Sequence, residues 1–460
     1  MRKLRITAMI VCLSVMLGLF AMPALAEDNA QPKLGSAECA LLGDMGTGRI
    51  LYNANAYSRH APASLTKIMT MLLAVEAIES GSVSADDTVT AGADCKTGLD
   101  DDSSTAGIYI GESMSLEDFL YCAALASANE ACNIIAMHIA GSIEAFVDKM
   151  NVRADELGCS GTHFTNTHGM PDPDHYSTAR DIFIISCEAM RHPLFAKLVG
   201  TSEHTVSATN LSSERRLKSS NALICSDSVY TGKYRYDGAV GIKTGYTDAA
   251  GYCLVGAVQR DGVNVITVIL GADGDKEKKE FDSFADSVKL LDWCFENYSY
   301  RSIVRSGTVV GTQPIEYGGA SGTVELLCAG DVNALAEKSL DAAKLKKTVN
   351  LNAETLTAEC PEGTELGTVS FADPNDGAVY ATVKLVAGKT VMNEQTETQP
   401  QTPQGLRSDQ KLALVIVCAL FVVTTLTLLL LAARKRRAKR SRRKMSKTKT
   451  QKRPQNGARR

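Results

Sequence analysis

The stretch His60-Ala61-Pro62-Ala63-Ser64-Leu65-Thr66-Lys67 runs straight into Ile68-Met69-Thr70-Met71-Leu72-Leu73-Ala74-Val75. Proline suits the first turn of a helix, where its missing N–H is not needed. The expected element is therefore a helix starting at Pro62, with Ser64 in its first turn and the helix dipole behind it. Three residues along a helix is nearly one turn, which stacks the Lys67 amine beside the Ser64 hydroxyl. Ile68, Met69, Met71, Leu72, Leu73, Val75 and Ile78 make this helix apolar almost all round, so the lysine is expected to be buried with it. A serine hydroxyl is a poor nucleophile until a base takes its proton. A lysine can be that base if burial and a neighbouring cation lower its pKa. Alone, the same spacing also fits an ordinary surface helix.

Two further segments extend the pattern. Ser127-Ala128-Asn129 follows the apolar stretch Phe119 to Ala126 and precedes another helical run. The Ser127 hydroxyl can relay a proton to a leaving amine and the Asn129 amide can hold a carbonyl, or the segment is a plain turn with Asn129 as N-cap. Lys243-Thr244-Gly245 ends the run Gly238-Ala239-Val240-Gly241-Ile242. Extended chain there turns Lys243 toward a cleft and leaves Gly245 small enough for close backbone approach. Thr244 offers a hydroxyl to a carboxylate, and Lys243 a second cation to keep Lys67 neutral. Alone, this segment too reads as a loop.

In this order the three segments match the S-x-x-K, S-x-N and K-T-G set of penicillin-binding proteins and serine β-lactamases. Two longer segments, His163-Phe164-Thr165-Asn166-Thr167-His168-Gly169-Met170 through Asp181 and Gly241 through Leu254, add to the likeness. The chain resembles the low-molecular-mass penicillin-binding proteins of the D-alanyl-D-alanine carboxypeptidase type over roughly residues 36–300. Residues 301–392 are similar, more loosely, to that family's C-terminal domain.

The resemblance implies an α+β, penicilloyl-serine transferase (serine β-lactamase-like) fold and acyl transfer on peptidoglycan stem peptides. Ser64 is the implied nucleophile on the carbonyl between two D-alanines and Lys67 its base. Ser127, with Lys243, is implied to protonate the departing amine. Asn129, Lys243, Thr244, Gly245 and Tyr246 are the implied substrate-binding residues, with the oxyanion between the backbone N–H groups of Ser64 and Tyr246. β-Lactam antibiotics are expected to trap Ser64 as a slow ester, and neither metal nor organic cofactor is implied. Two positions depart from the family. Tyr246 stands where many relatives have His, and Ser283 where they carry an Arg that helps hold the substrate carboxylate, with Lys276, Lys278 or Lys279 as replacements.

A β-lactamase of the common class needs an E-x-x-L-N segment, and none lies between Asn129 and Lys243. A DD-endopeptidase cutting crosslinks fits the same motifs. A catalytically weak penicillin- or peptidoglycan-binding sensor is the alternative of another class.

Residues 36–54 read as a hairpin turning at Met45-Gly46-Thr47-Gly48, and residues 62–200 as mainly helical, with capping boxes at Ser115/Asp118 and Thr178/Asp181. Tyr252 to Val258 and Val263 to Leu270 are β-branched runs joined through Arg260-Asp261-Gly262, a hairpin signal. Phe284, Val288, Leu291 and Phe295 mark one face of a closing helix, about Phe281 to Asn297. Strands at both ends with helices between predict an antiparallel sheet sandwiched by helices over residues 27–300, followed by a small all-β domain over 301–392.

Residues 1–26 read as a signal peptide, with a basic start, an apolar run and Ala24-Leu25-Ala26 before the cleavage site. Residues 393–411, rich in Gln, Thr, Glu and Pro, read as a flexible stalk. Residues 412–433 are uncharged, and their 22 positions at about 1.5 Å each span roughly 33 Å, enough for a hydrocarbon core of about 30 Å. Residues 434–460 hold 15 Lys/Arg and no acid, which sets a cytoplasmic tail beside a single pass and the rest of the chain outside. Anionic lipid is the expected partner of that tail. Residues 27–433 carry the remaining 31 Lys/Arg outside the signal against all 52 Asp/Glu, a balance near −21 that argues against nucleic acid.

The 13 cysteines include Cys12 and Cys418 in the two apolar runs, and the other 11 lack disulfide-scaffold or zinc spacing, so they read as small buried hydrophobes. His163, His168 and His175 lack the spacing of metal ligands and are expected to make structural hydrogen bonds. Asp100-Asp101-Asp102-Ser103 lacks the Gly and Glu of an EF-hand and reads as a solvated acidic loop.

Overall fold

The structure, a computed structural model, describes residues 31–225, 232–318, 322–375, 377–393 and 408–447, with side chains of the last segment described over 415–436. The expected signal peptide, most of the stalk and residues 448–460 lie outside them. The chain divides into two compact units, one bounded by residues 1–310, 327–352 and 365–386, the other by 311–326, 353–364 and 387–460.

The first unit is built on a five-stranded sheet. Its strands are β1 (Cys39–Asp44), β2 (Ile50–Ala54), β3 (Ala239–Thr247), β4 (Gly251–Arg260) and β5 (Val263–Ala272), in the order β2-β1-β5-β4-β3. Every pairing is antiparallel. Among the described residues six α-helices precede β3: α1 (Lys67–Glu79), α2 (Leu116–Leu125), α3 (Asn129–Ala140), α4 (Ile143–Glu156), α5 (Ala179–Ala189) and α6 (Pro193–Gly200). A seventh, α7 (Asp282–Asn297), follows β5.

The period of two along the strands sends alternate residues to two cores. Leu41, Val255, Ile266 and Val268 join Ile68, Met71 and Phe119 in the larger cluster on one face. Ala40, Leu42, Leu254 and Ile269 join Phe284, Leu291 and Trp293 of α7 on the other. Both faces are thus covered by helices, as the run of apolar residues in β4 and β5 anticipates.

Local chemistry sets the turns. Asp261 and Gly262 both have positive φ, 54° and 79°, the requirement of a type I′ hairpin, and they join Arg260 to its partner Val263. The Asp44 carboxylate accepts from Thr47 N (3.2 Å) and Thr47 Oγ1 (2.5 Å), closing the β1–β2 turn. Ser115 and Thr178 accept from Asp118 N and Asp181 N at 3.1 and 3.0 Å, so both expected caps form.

Two local expectations need correction. The helix expected from Pro62 begins as a tight 3-10 turn, Ala63–Thr66, and becomes α-helical at Lys67, because Ala63 takes a left-handed φ of 47° that an α-helix cannot hold. Asn129 is not an N-cap: Ala128 occupies that position without a side-chain bond, and Asn129 is the first helical residue. The left-handed φ of 56° at Ser127 makes the turn between α2 and α3, leaving the Asn129 amide out of the cap.

From the end of α7 to residue 393 the described residues form strands, loops and one short 3-10 turn. The first of these strands, Tyr298–Val304, starts as α7 ends, three residues before the expected change of texture. In the first unit it pairs with Val332–Glu337, and Lys346–Leu351, Glu365–Ala372 and Val379–Ala387 form an antiparallel set. In the second unit Ile315 and Glu316 pair in parallel with Leu356 and Thr357. The second unit also holds α8 (Ser408–Lys447), in which Val415–Arg436 is long and apolar enough to cross a membrane.

Candidate active site

Ser64 lies in the 3-10 turn at the head of α1, and the chain around it is packed backbone to backbone. A Cβ on Gly169 would fall 1.8 Å from the Ala63 carbonyl oxygen, and one on Gly245 would stand 3.1 Å from Ser64 N. Glycine at these two places lets the loop after α4 and strand β3 close on the Ser64 turn from both sides. The cost of the left-handed φ at Ala63, about 1–2 kcal/mol, is borne where the nucleophile is presented.

Lys67 Nζ donates to Ser64 Oγ at 2.7 Å and to the His168 carbonyl at 2.7 Å. Its side chain is fully buried, and burial lowers its pKa to about 8 against the opposing pull of Cys132 and Glu130. An amine with that pKa, hydrogen-bonded to a hydroxyl, can take the hydroxyl proton near neutral pH.

A buried polar lattice holds the His168 carbonyl in place. Thr70 Oγ1 donates to the Thr167 carbonyl at 2.6 Å, and Thr167 Oγ1 donates to Asn133 Oδ1 at 2.6 Å. Thr66 Oγ1 donates to the Ala63 carbonyl and so accepts from His175 Nε2 at 2.8 Å, while His175 Nδ1 accepts from Thr165 N at 3.0 Å. Burial first lowers the pKa of His168 to about 3 and that of His175 to about 4, keeping both rings neutral. His163 Nδ1 bonds the Asp174 carbonyl at 2.7 Å. The three histidines are structural hydrogen-bonding groups, as their spacing suggested.

Lys243 Nζ donates to Ser127 Oγ at 3.0 Å and to the Thr244 carbonyl at 3.0 Å. Its pKa is lowered well below the ordinary lysine value, first by burial and then by the charge of Lys67. The electrostatic coupling runs from Lys67 to Lys243, whose ammonium form the charge of Lys67 disfavours, while burial is what lowers the pKa of Lys67 itself.

A cleft of about 670 Å³ opens on Ser64 and is walled by Asn129, Gly169, Tyr246 and Asp102 among others. Asn129 is 3% exposed and its Oδ1 has no hydrogen-bond partner. Thr244 Oγ1 shares a 2.6 Å hydrogen bond with Ser220 Oγ. Tyr246 is exposed at the rim, its ring against Tyr252 and its hydroxyl donating to Asp248 at 2.8 Å, so the side chain lies outside the Ser64–Lys67–Lys243 group. Ser283 is buried in α7. Of the three lysines offered in place of the arginine, Lys276 lines the cleft, with its amine 4.5 Å from the Tyr246 ring centre. Lys278 instead pairs with Asp275 at 2.8 Å.

Of the eight residues singled out in sequence, the structure pairs Ser64 with Lys67 and Ser127 with Lys243, lays Gly245 against Ser64 N, sets Asn129 in the cleft that opens on Ser64 and turns Thr244 to Ser220, while the Tyr246 side chain stays at the rim. It adds Gly169, the His168 carbonyl, Ser220 and the buried Glu130, which reasoning from sequence passed over. Gly169 and His168 stand in a segment that did draw notice. Ser220 follows a polar run and has no signal of its own.

Residues 26–274 match the D-alanyl-D-alanine carboxypeptidase peptidase family, and residues 298–393 match the penicillin-binding protein 5 C-terminal domain. D-alanyl-D-alanine carboxypeptidase DacF of Bacillus subtilis (strain 168) is 32% identical over 394 residues, covering 84% of this chain and 94% of the relative. DacC of Escherichia coli (strain K12), of the same description, is 30% identical over 362 residues, covering 78% and 86%. Among solved structures, penicillin-binding protein 5 from Haemophilus influenzae matches with a TM-score of 0.63 at 27% identity, over 79% of this chain and 99% of that one. The helix-covered sheet is the penicilloyl-serine transferase fold, and with matches of this length on both sides of α7 the chain belongs to the D-alanyl-D-alanine carboxypeptidase family.

Proposed function

We propose that the protein removes the terminal D-alanine from peptidoglycan stem pentapeptides through an ester on Ser64. The observation that carries this is the 2.7 Å hydrogen bond between Ser64 Oγ and a fully buried lysine whose pKa is lowered to about 8. Lys67 takes the Ser64 proton as Oγ adds to the carbonyl of the penultimate D-alanine. The resulting oxyanion is held by the backbone N–H groups of Ser64 and Tyr246, which the close approach at Gly245 supports. Collapse breaks the peptide bond, and the proton held by Lys67 passes through Ser127, hydrogen-bonded to Lys243, to the departing amine, which leaves Lys67 neutral. Water then adds to the ester, giving its proton to Lys67, which returns it to Ser64 Oγ as the shortened peptide leaves.

Asn129, with its unpartnered amide oxygen, holds the acyl-side peptide group. Thr244, oriented by Ser220, takes the terminal carboxylate, and Lys276 supplies the positive field that Ser283 cannot. β-Lactams occupy the same cleft and acylate the same hydroxyl.

The chain is further read as a signal peptide over 1–26, a catalytic domain over 27–300, a small all-β domain over 301–392 and a stalk over 393–411. A single pass over 412–433 and a cytoplasmic tail over 434–460 complete it. This topology holds the active site at the outer face of the membrane, where its substrate is.

The test is mass spectrometry of a pentapeptide monomer and a crosslinked dimer after incubation with the protein and with its Ser64→Ala variant. Loss of one D-alanine from the monomer, absent in the variant, is the expected result. Cleavage of the dimer alone moves the function to a DD-endopeptidase, and no cleavage of either moves it to a binding protein.

A further inference from the structure

The cleft does not run symmetrically about Ser64. Its walls include Ser64 and Asn129 and continue along Thr247, Asp248 and Ala249, past the end of β3, whereas Ser127, Lys243 and Thr244 lie outside its lining. In the reaction proposed above, those last three serve the departing D-alanine. The part of the cleft beside Asn129 is therefore on the acyl side, where the rest of the stem peptide lies.

The wall facing that space is acidic. Asp100 and Asp102 line it, both exposed, and the ion pairs among the described residues engage neither. This wall is anchored. Ser103 N donates to the Asp100 carbonyl at 3.0 Å, and Asn129 N donates to the Ser104 carbonyl at 2.9 Å. Glu130 Oε1, fully buried, accepts from Thr105 Oγ1 at 2.5 Å and from Ala106 N at 2.9 Å. The segment carrying the two aspartates is thus latched to the first turn of α3, the turn that carries Asn129. The buried Asn129 Oδ1, without a partner in the same cleft, marks this end as built for a polar chain that brings its own N–H. At the far end Lys276 lies by Tyr246 and Asp248 accepts from the Tyr246 hydroxyl, so the negative charge left unengaged in the cleft is that of the Asp100–Asp102 wall.

We propose that Asp100 and Asp102 form a subsite for a free primary ammonium on the acyl side of the scissile bond. The enzyme thereby selects stem peptides whose diamino residue keeps its side-chain amine uncapped. This rests on the carboxypeptidase reading above and deepens it. A carboxylate pair at the surface attracts an ammonium through water-screened charge, so the selection is modest and salt-sensitive.

The test uses the full-length protein and two pentapeptides that differ in one group, a free lysine amine or its neutral Nε-acetyl form. The ratio of their kcat/KM values is taken within each protein, so each variant is its own control. The wild type is expected to favour the free amine about 3- to 10-fold, the yield of one or two exposed ion pairs. The Asp100→Asn/Asp102→Asn double variant brings the ratio close to one, and raising the salt does the same to the wild type. Equal cleavage of both peptides by the wild type, or a preference retained in the double variant, overturns the proposal. Both peptides are also read as competitors of benzylpenicillin acylation, which reports their binding even if neither is cleaved. Failure of the subsite and failure of the carboxypeptidase reading are then separate results.

Discussion

Lys67 Nζ stands 2.7 Å from Ser64 Oγ, and among the described residues its other acceptor is the neutral carbonyl of His168, not a carboxylate. A buried ammonium without a counter-ion is held at the cost of its solvation, and it gives up its proton far more easily than a surface lysine. The base in this site is made by withholding a partner.

A pH dependence follows. Only neutral Lys67 can accept the Ser64 proton, and its pKa is lowered to about 8. The rate of Ser64 acylation by a β-lactam is expected to rise about tenfold per pH unit below 8 and to level above it. Stopped-flow or quenched acylation between pH 6 and 10 measures this, and a flat profile through pH 8 removes Lys67 as the base.

Glu130 should move that profile. Its charge favours the ammonium form of Lys67. In Glu130→Gln the acylation limb shifts to lower pH, because the neutral amide no longer stabilises the proton on Lys67. A variant that loses rate at every pH without a shift shows that Glu130 acts only as the latch on residues 105–106.

Gly169→Ala tests the packing behind the nucleophile. The new Cβ falls 1.8 Å from the Ala63 carbonyl oxygen at a residue with φ of 94°. The protein is expected to lose about 1–3 kcal/mol or more of stability, as overpacked sites do, and to acylate slowly even when folded. Thermal unfolding and penicillin acylation, read on the same sample, separate the two effects.

Tyr246→His is expected to change kcat/KM for a pentapeptide by less than about threefold, because the role assigned to this position is carried by its backbone N–H. Its side chain points to Asp248 and Tyr252 at the rim. Lys276→Gln, by contrast, should raise KM several-fold with little change in kcat, as loss of a charge that binds ground state and transition state alike.

Much of this site was legible because its residues sit at spacings that force proximity. Ser64 and Lys67 are one turn apart, and Asp261-Gly262 can make few turns other than the one observed. What stayed hidden depends on long-range contacts. The Ala63 carbonyl packs directly against Gly169, and the hydroxyl beside Thr244 comes from Ser220, on a segment before β3. The second acceptor for Lys67 is a backbone carbonyl, which carries no residue signature. The alternative of Asn129 as a cap, a position asparagine favours, gives way because the turn at Ser127 hands the cap to Ala128. Glu130, an acid in a first helical turn, looks like a dipole partner until its three donors from Thr105, Ala106 and Ile108 are seen.

The central claim is that Ser64 carries the acyl group. The direct measurement is intact mass of the protein after benzylpenicillin, followed by digestion to locate the adduct. A single penicilloyl adduct on the peptide containing Ser64, absent in Ser64→Ala, is the predicted result. An unmodified protein that is still folded, or an adduct on any other residue, contradicts it.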